Sequence, residues 1–423
     1  MSIRNSPDQE SSTLQKIYKL LYPGIGIKRW LILGAAGITI CALGVAYFIR
    51  RIFLVTFPDF LPSHLEGALL LAAGTITLFV SLYGLYKALS PLLTSEVHIN
   101  SIGETLYDRL AQERGPRIVA IGGGTGLSVL LRGLKQYTNN LTAVISVADD
   151  GGSSGRLRRE LGVLPPGDFR NCIVAMSDEQ SLLPELFQYR FKEGNALKGH
   201  SFGNLFIVAM SYVADNFVEA LSESSRVLAV RGTINPATTE NLRLSAEMED
   251  GSVIKGESRI TEHRGKVKEI AIEPPDAEAY QPAVQAIMDA DIVVLGPGSL
   301  YTSILPNLMV PGINKAMNQT KATTVYVCNV ATEIGETQGF NVADHVITLQ
   351  NHTDNHIVEW VLVNNNIVDI GDRFEGDNVM ISIDKVPYAK IATSDLIDIN
   401  HPVRHDSQKL AQLIMDIYHS RIN

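Results

Sequence analysis

Cysteine is scarce: Cys41, Cys172 and Cys328 are the three in 423 residues. They are too few for a disulfide framework and too widely spaced for a zinc motif, so the chain suits a compartment where thiols stay reduced. An excess of basic residues is also missing, with 36 Lys and Arg against 45 Asp and Glu and a formal charge of -9. General nucleic-acid binding usually leaves a basic footprint, and no block of Lys and Arg occurs, so no nucleic-acid partner is expected. Two nucleotide fingerprints fail as well. Gly122-Gly123-Gly124-Thr125-Gly126 has no Lys after its last Gly, as Walker A requires, and Leu127 or Val129 stands where the dinucleotide pattern has its third Gly. Kinase and NAD-enzyme readings are thereby weakened.

What is present begins with two uncharged apolar runs, Trp30 to Ile49 and Gly67 to Tyr86. Each has roughly the 20 residues that cross a hydrocarbon core as a helix. With Pro58 and Pro62 in the short connection, they predict a transmembrane hairpin in a lipid bilayer. Arg4, Lys16, Lys19, Lys28 and Arg29 precede it, against Arg50 and Arg51 in the connection. The positive-inside rule then puts the N-terminus and the main domain in the cytoplasm. A cleaved signal peptide has a shorter apolar core and a small-residue cleavage site; buried core helices are the blander alternative. Ser90-Pro91 should stop the second helix, and a polar connector with a short helix through Leu106 to Ala111 should follow. The expected organisation is a tail over 1–29, the hairpin over 30–86, a linker over 87–114 and a nucleotide-binding domain over 115–423.

That domain reads as α/β, a doubly wound, mainly parallel Rossmann-like sheet. Arg117 to Ile121 is a buried-strand run, and the glycines after it lead into a helix through Leu127 to Leu131. Such a turn lets backbone N–H groups reach a phosphate, or it packs helix against strand and does nothing more. The next strand, Thr142 to Ala148, ends in Asp149-Asp150. Carboxylates there accept ribose hydroxyls or hold a divalent cation; adjacent acids point apart, so one would meet the ligand while the other caps the turn. Beyond Gly151-Gly152-Ser153-Ser154-Gly155 come Arg156, Arg158 and Arg159, suited to phosphate or to a solvated helix face. Pro165-Pro166-Gly167-Asp168 enters a helix that Asp168 could cap. Arg170 lies in its first turn, a poor place for a cation without an anionic partner, and is a candidate ligand contact.

Gly199-His200-Ser201-Phe202-Gly203 matches a nucleophile elbow, but loop-like residues precede it where an elbow needs a buried strand. Ser201 to Asn204 therefore reads as a helix N-terminus offering amides, with His200 contacting phosphate or capping. From about Val227 to Ile272 the chain alternates as antiparallel hairpins, with turns at Glu249-Asp250-Gly251 and His263-Arg264-Gly265: a small β excursion. Asp291 to Leu295 and Thr323 to Cys328 are further parallel strands, ending in Gly296-Pro297-Gly298-Ser299 and in a loop through Thr332 to Thr337. Asp406 to Tyr418 predicts an amphipathic helix whose Arg404-His405-Asp406 start is a cap.

Together, Gly122 to Leu127, Ala148 to Gly155, Pro166 to Arg170, Gly199 to Asn204 and Gly296 to Ser299 resemble the gluconeogenesis-factor family, related to 2-phospho-L-lactate transferase. The resemblance covers about residues 115 to 420 and not the first hundred. It implies a doubly wound α/β domain holding a nucleotide diphosphate. One branch binds uridine-diphosphate sugars such as UDP-N-acetylglucosamine and supports cell shape and wall growth on non-glycolytic carbon. The other moves a phospholactyl group from a nucleotide-activated donor to a deazaflavin, with magnesium. By motif match, Gly122, Gly123, Gly124, Thr125 and Gly126 would face the diphosphate, and Asp149 or Asp150 the sugar or Mg2+. Ser153, Ser154, Arg156, Arg170, His200, Asn204, Gly296, Gly298 and Ser299 would share the cleft. A regulatory binding protein in a bacterial cell membrane is the expectation, a transferase the alternative, and a homodimer remains open.

Overall fold

A computed structural model of the chain describes residues 27–53, 63–93, 112–177, 182–353, 356–371, 373–382, 386 and 388–422. The tail up to residue 26, the connection with Pro58 and Pro62, and the expected helix through Leu106 to Ala111 lie outside the described residues. The chain divides into two units, Met1–Ala111 and Gln112–Asn423.

In the first unit, helices Ile27–Phe53 and Ser63–Leu93 pack against each other. Glycine makes the close approach possible: a Cβ at Gly74 would stand 2.5 Å from Cys41 Sγ, and one at Gly84 2.4 Å from the Trp30 ring. Small residues bring membrane helices together in this way. Ser81 Oγ donates to the Trp30 carbonyl at 2.7 Å, and Thr39, Thr75 and Thr77 donate to carbonyls of their own helices, so these hydroxyls do not rely on solvent. Ile32, Ile38, Phe79 and Tyr83 face outward and exposed. Both helices are long and apolar enough to cross a membrane by length and composition. The second runs past Ser90-Pro91 to Leu93; proline's fixed φ is compatible with a helix, and in a last turn it removes one hydrogen bond.

In the second unit, β1 (Ile118–Gly122), β2 (Leu141–Ile145) and β3 (Thr233–Pro236) come first. Next are β4 (Arg243–Met248), β5 (Val253–Lys255) and β6 (Val267–Glu273), then β7 (Ile292–Leu295), β8 (Thr323–Val327), β9 (Trp360–Asn364) and β10 (Lys390–Ser394). The main sheet has seven strands in the order β10-β9-β8-β7-β1-β2-β3, and every pair is parallel. β1, β7 and β8 are buried along their whole lengths, as strands covered on both faces should be. The chain steps outward one way from β1 to β3 and the other way from β7 to β10, so the order reverses between β1 and β7. Ile118 pairs with Leu141 on one side and Ile292 on the other. In open α/β sheets the ligand crevice lies outside the strand ends at such a reversal.

The antiparallel excursion is real but narrower than expected. β5-β4-β6 spans Arg243 to Glu273, while β3 joins the main sheet. Glu249-Asp250-Gly251 is a turn, Gly251 having φ +82. His263-Arg264-Gly265 instead closes a helix, Glu257–His263, inserted between β5 and β6. β2 stops at Ile145 rather than Ala148 because the next carbonyls are drawn away: Arg158 Nη1 donates to those of Val147, Ala148 and Asp149, each at 3.2 Å. A short hairpin, β11 (Ile397–Asp398) with β12 (His401–His405), precedes the last helix, Ser407–Ile422. Asp406 caps that helix by accepting from the Gln408 and Lys409 amides.

Candidate functional site

The two glycine loops flank the reversal and touch. Gly123 is extended and Gly124, at φ +64, begins the helix Gly124–Leu134. A Cβ at Gly126 would sit 2.5 Å from the Pro297 carbonyl oxygen, and one at Gly298, at φ +157, 3.4 Å from that of Gly123. Asn307 Nδ2 fastens the Gly122 carbonyl at 3.1 Å. Gly122, Gly123, Gly124, Thr125, Gly126, Gly296, Gly298 and Ser299 are thus one constellation. Six of them, all but Gly122 and Gly296, line a cleft of about 440 Å³ together with Asn329, Thr332, Glu333, Ile334, Val403 and Arg404. A helix N-terminus and unhindered glycine backbone, with Arg404 also in the lining, suit a phosphate-bearing ligand.

Buried acids collect beside this cleft. Asp168, read from sequence as a cap, is not one: Pro166 holds the cap position without a side-chain bond. Its carboxylate instead accepts from the Gly124 amide, and a Cβ on Gly123 would stand 2.6 Å from its Oδ2. Burial, and then the nearby Asp149 charge, push Asp168 up to about 7. Burial also raises Asp149, against the hydrogen bonds it receives from Gly151 N–H, at 2.9 Å, and from Ser154. Asp150 turns the other way: its Oδ1 accepts from Ser258 N at 2.9 Å and holds the start of the helix Glu257–His263. Glu257 is pushed up to about 8 by burial and then by Asp149, Glu336 and Asp168. Glu336, buried, accepts from Tyr301 N at 3.2 Å and Thr302 Oγ1 at 2.8 Å, bracing the turn after Ser299. Among the described residues no group of three or more His, Cys, Asp or Glu is arranged to hold a metal ion. The expected Asp149–Asp150 pair is therefore not a ready-made cage by itself, and the Asp149 charge also raises Asp168 and Glu257.

The remaining candidates form a second, buried cluster that does not line the cleft. Three helix starts, at Gly152, Gly167 and Phe202, meet there. Ser154 Oγ accepts from Gly167 N at 3.0 Å. Ser153 Oγ lies 2.8 Å from His200 Nδ1 and takes a bond from Asn204 Nδ2 at 3.0 Å. Arg170 Nη1 donates to Ser201 Oγ at 2.6 Å. Arg170 Nε and Asn204 Oδ1 are buried without partners. Burial, then the charge of Arg156, lowers the His200 pKa. Ser201 caps the helix Phe202–Val213 and has no strand before it, so the geometry is not that of a nucleophile elbow. Arg156 Nη2 donates to the Lys198 carbonyl at 2.8 Å; it braces a loop rather than facing the cleft. Asp149, bonded to Ser154 and close to Asp168, links the two clusters.

Asp168, Glu257, Glu333 and Arg404 were not among the sequence candidates. Asp168 and Arg404 carried a local explanation as caps that hid a tertiary role. Glu333 had a signal, its place in the loop after β8, that went unused.

The family profile of 2-phospho-L-lactate transferase CofD matches residues 118–422. The chain is 44% identical over 312 residues to the Gluconeogenesis factor of Bacillus subtilis (strain 168), covering 71% of this chain and 98% of that protein. With a provisionally named gluconeogenesis factor of Nostoc sp. (strain PCC 7120) it shares 41% over 440 residues, 98% of this chain and 95% of the other. The first hundred residues are thus matched in the Nostoc protein. A crystal structure of a UPF0052-family member from Bacillus halodurans superposes with a TM-score of 0.69 at 41% identity, over 71% of this chain and 99% of that one.

Proposed function

The chain belongs to the CofD family, and from that premise we propose that its second unit is a gluconeogenesis-factor-like domain that binds a nucleoside diphosphate sugar. The observation that carries the reading is the meeting of two glycine loops across the β1/β7 reversal, with a cleft opening between them and Arg404. The diphosphate lies along the amides of Thr125 and Gly126, the Gly124 amide being taken by Asp168, and beside Gly298 and Ser299. The family resemblance supplies the uridine and N-acetylglucosamine identities, and with them a role in cell shape and wall growth on non-glycolytic carbon.

A magnesium ion fits the acids as a co-ligand. Asp149 and Asp168 offer oxygen donors, and a cation would offset both the burial and the nearby Asp149 charge that hold Asp168 at about 7. Mg2+ is commonly held by one or two carboxylates together with phosphate oxygens, so two suffice where no three-residue cage exists. When bound, the ion supplies charge neutralisation for the diphosphate. Asp150 accepts from Ser258 N through its Oδ1.

The transferase reading is carried by the family resemblance alone, because the buried Ser153–His200–Asn204 cluster does not line the cleft. Thermal unfolding with and without millimolar UDP-N-acetylglucosamine and Mg2+ tests the main reading, since a ligand bound only by the folded form raises the melting temperature. No shift would remove it, while turnover of a nucleotide-activated phospholactate would favour the transferase. We further propose that the two apolar helices span the membrane and hold this domain at its cytoplasmic face.

A further inference from the structure

Within the proposed nucleotide cleft, we infer that Glu333 recognises the ribose hydroxyls and makes the site selective for ribonucleotides over deoxyribonucleotides. The inference rests on the nucleotide reading. Two acids at the end of β2 were candidates for this role, and both are engaged away from the cleft. Asp150 is bound to Ser258 N, and Asp149 is tied to Gly151 N–H and Ser154 and faces Asp168. Neither lines the cleft, whereas Glu333 does.

Glu333 follows β8, the strand next to β7, so its loop stands one strand along from the diphosphate-facing turn. Asn329 Nδ2 donates to its Oε1 at 3.2 Å, and the Ser299 hydroxyl also bonds the carboxylate. A carboxylate has about four acceptor positions, so two donors orient it and leave capacity for a pair of vicinal hydroxyls. The bond to Ser299 ties the acid to the turn that would face the diphosphate. Acids after strands in doubly wound sheets read ribose for the same reason. The nucleoside then runs from the glycine loops past Glu333 toward Ile334, Val403 and Arg404. The group beyond the diphosphate points instead to Asp149 and Asp168.

The test measures dissociation constants for UDP against 2′-deoxy-UDP, and GDP against 2′-deoxy-GDP, on the full chain in detergent with Mg2+. A lost bond to a charged acceptor costs enough for about a tenfold or greater preference for the ribonucleotide. Glu333→Gln and the shorter Glu333→Asp should each reduce that preference to within about threefold, while Glu257→Gln, outside the cleft, keeps it. Equal binding of both sugars by the unsubstituted protein, or a preference that survives in both Glu333 variants, overturns the inference and leaves the nucleotide reading standing. If none of the four diphosphates binds, the nucleotide reading falls, and this inference with it.

Discussion

A carboxylate that is pushed to a high pKa reveals what its surroundings are built to receive. Asp168 and Glu257 are raised to about 7 and about 8, first by burial and then by other acids, from ordinary values near 4. Between those limits the folded chain binds protons that the unfolded chain has released. Their stabilisation is full at the acid end and is lost as pH rises through the folded values. His405, buried and lowered to about 4, works in the opposite sense below the ordinary histidine value and is silent above it. In chelator, the melting temperature should therefore fall from about pH 7 to about pH 9, and Glu257→Gln should flatten that fall. Added Mg2+ should restore part of the loss at the alkaline end if Asp149 and Asp168 share the ion. A melting temperature that is level or rising over this window would mean that the acids are not crowded as described.

At the scale of elements, the site depends on two turns touching. Gly126→Ala places a methyl 2.5 Å from the Pro297 oxygen, a backbone atom that cannot swing aside. Calorimetry should show a loss of about 1 to 3 kcal/mol, the cost of overpacking a close contact, together with loss of ligand binding. Gly152→Ala is the contrast: its φ is +44 with nothing within 4 Å of the added atom, so about 1 kcal/mol of backbone strain should leave binding nearly intact. Equal effects on binding would show that contact between the turns does not shape the cleft. The strands and glycine turns were legible in the sequence because an apolar run and a Gly cluster are local signals. The acids were not. Asp168 meets Gly123 and Gly124 across 45 and 44 residues, and at its own position a cap explained it fully. Arg158 looked like a solvated helix face for the same reason; its partners Asn241 and Leu242 lie more than 80 positions away. Arg404 was one of three residues read as a cap, and only Asp406 of them is.

In the whole molecule, a CofD-family unit follows a glycine-packed pair of apolar helices. Their outward faces are apolar, their close contact depends on Gly34, Gly74 and Gly84, and Ser81 spends its hydroxyl on a backbone carbonyl. A helix pair in water would leave Ile32, Phe79 and Tyr83 exposed at a cost of about 25 cal/mol for each Å² of apolar surface, whereas lipid removes that cost. The cations before the first helix, Arg4, Lys16, Lys19, Lys28 and Arg29, outnumber Arg50 and Arg51 between the helices, so the membrane proposal places both chain ends inside. The full chain should accordingly stay in the membrane pellet through an alkaline carbonate wash. Protease added outside spheroplasts should spare the second unit and digest it only after lysis. Release by carbonate would end the membrane proposal, and digestion from outside would reverse its orientation. Neither result would touch the cleft, because its lining residues all come from the second unit.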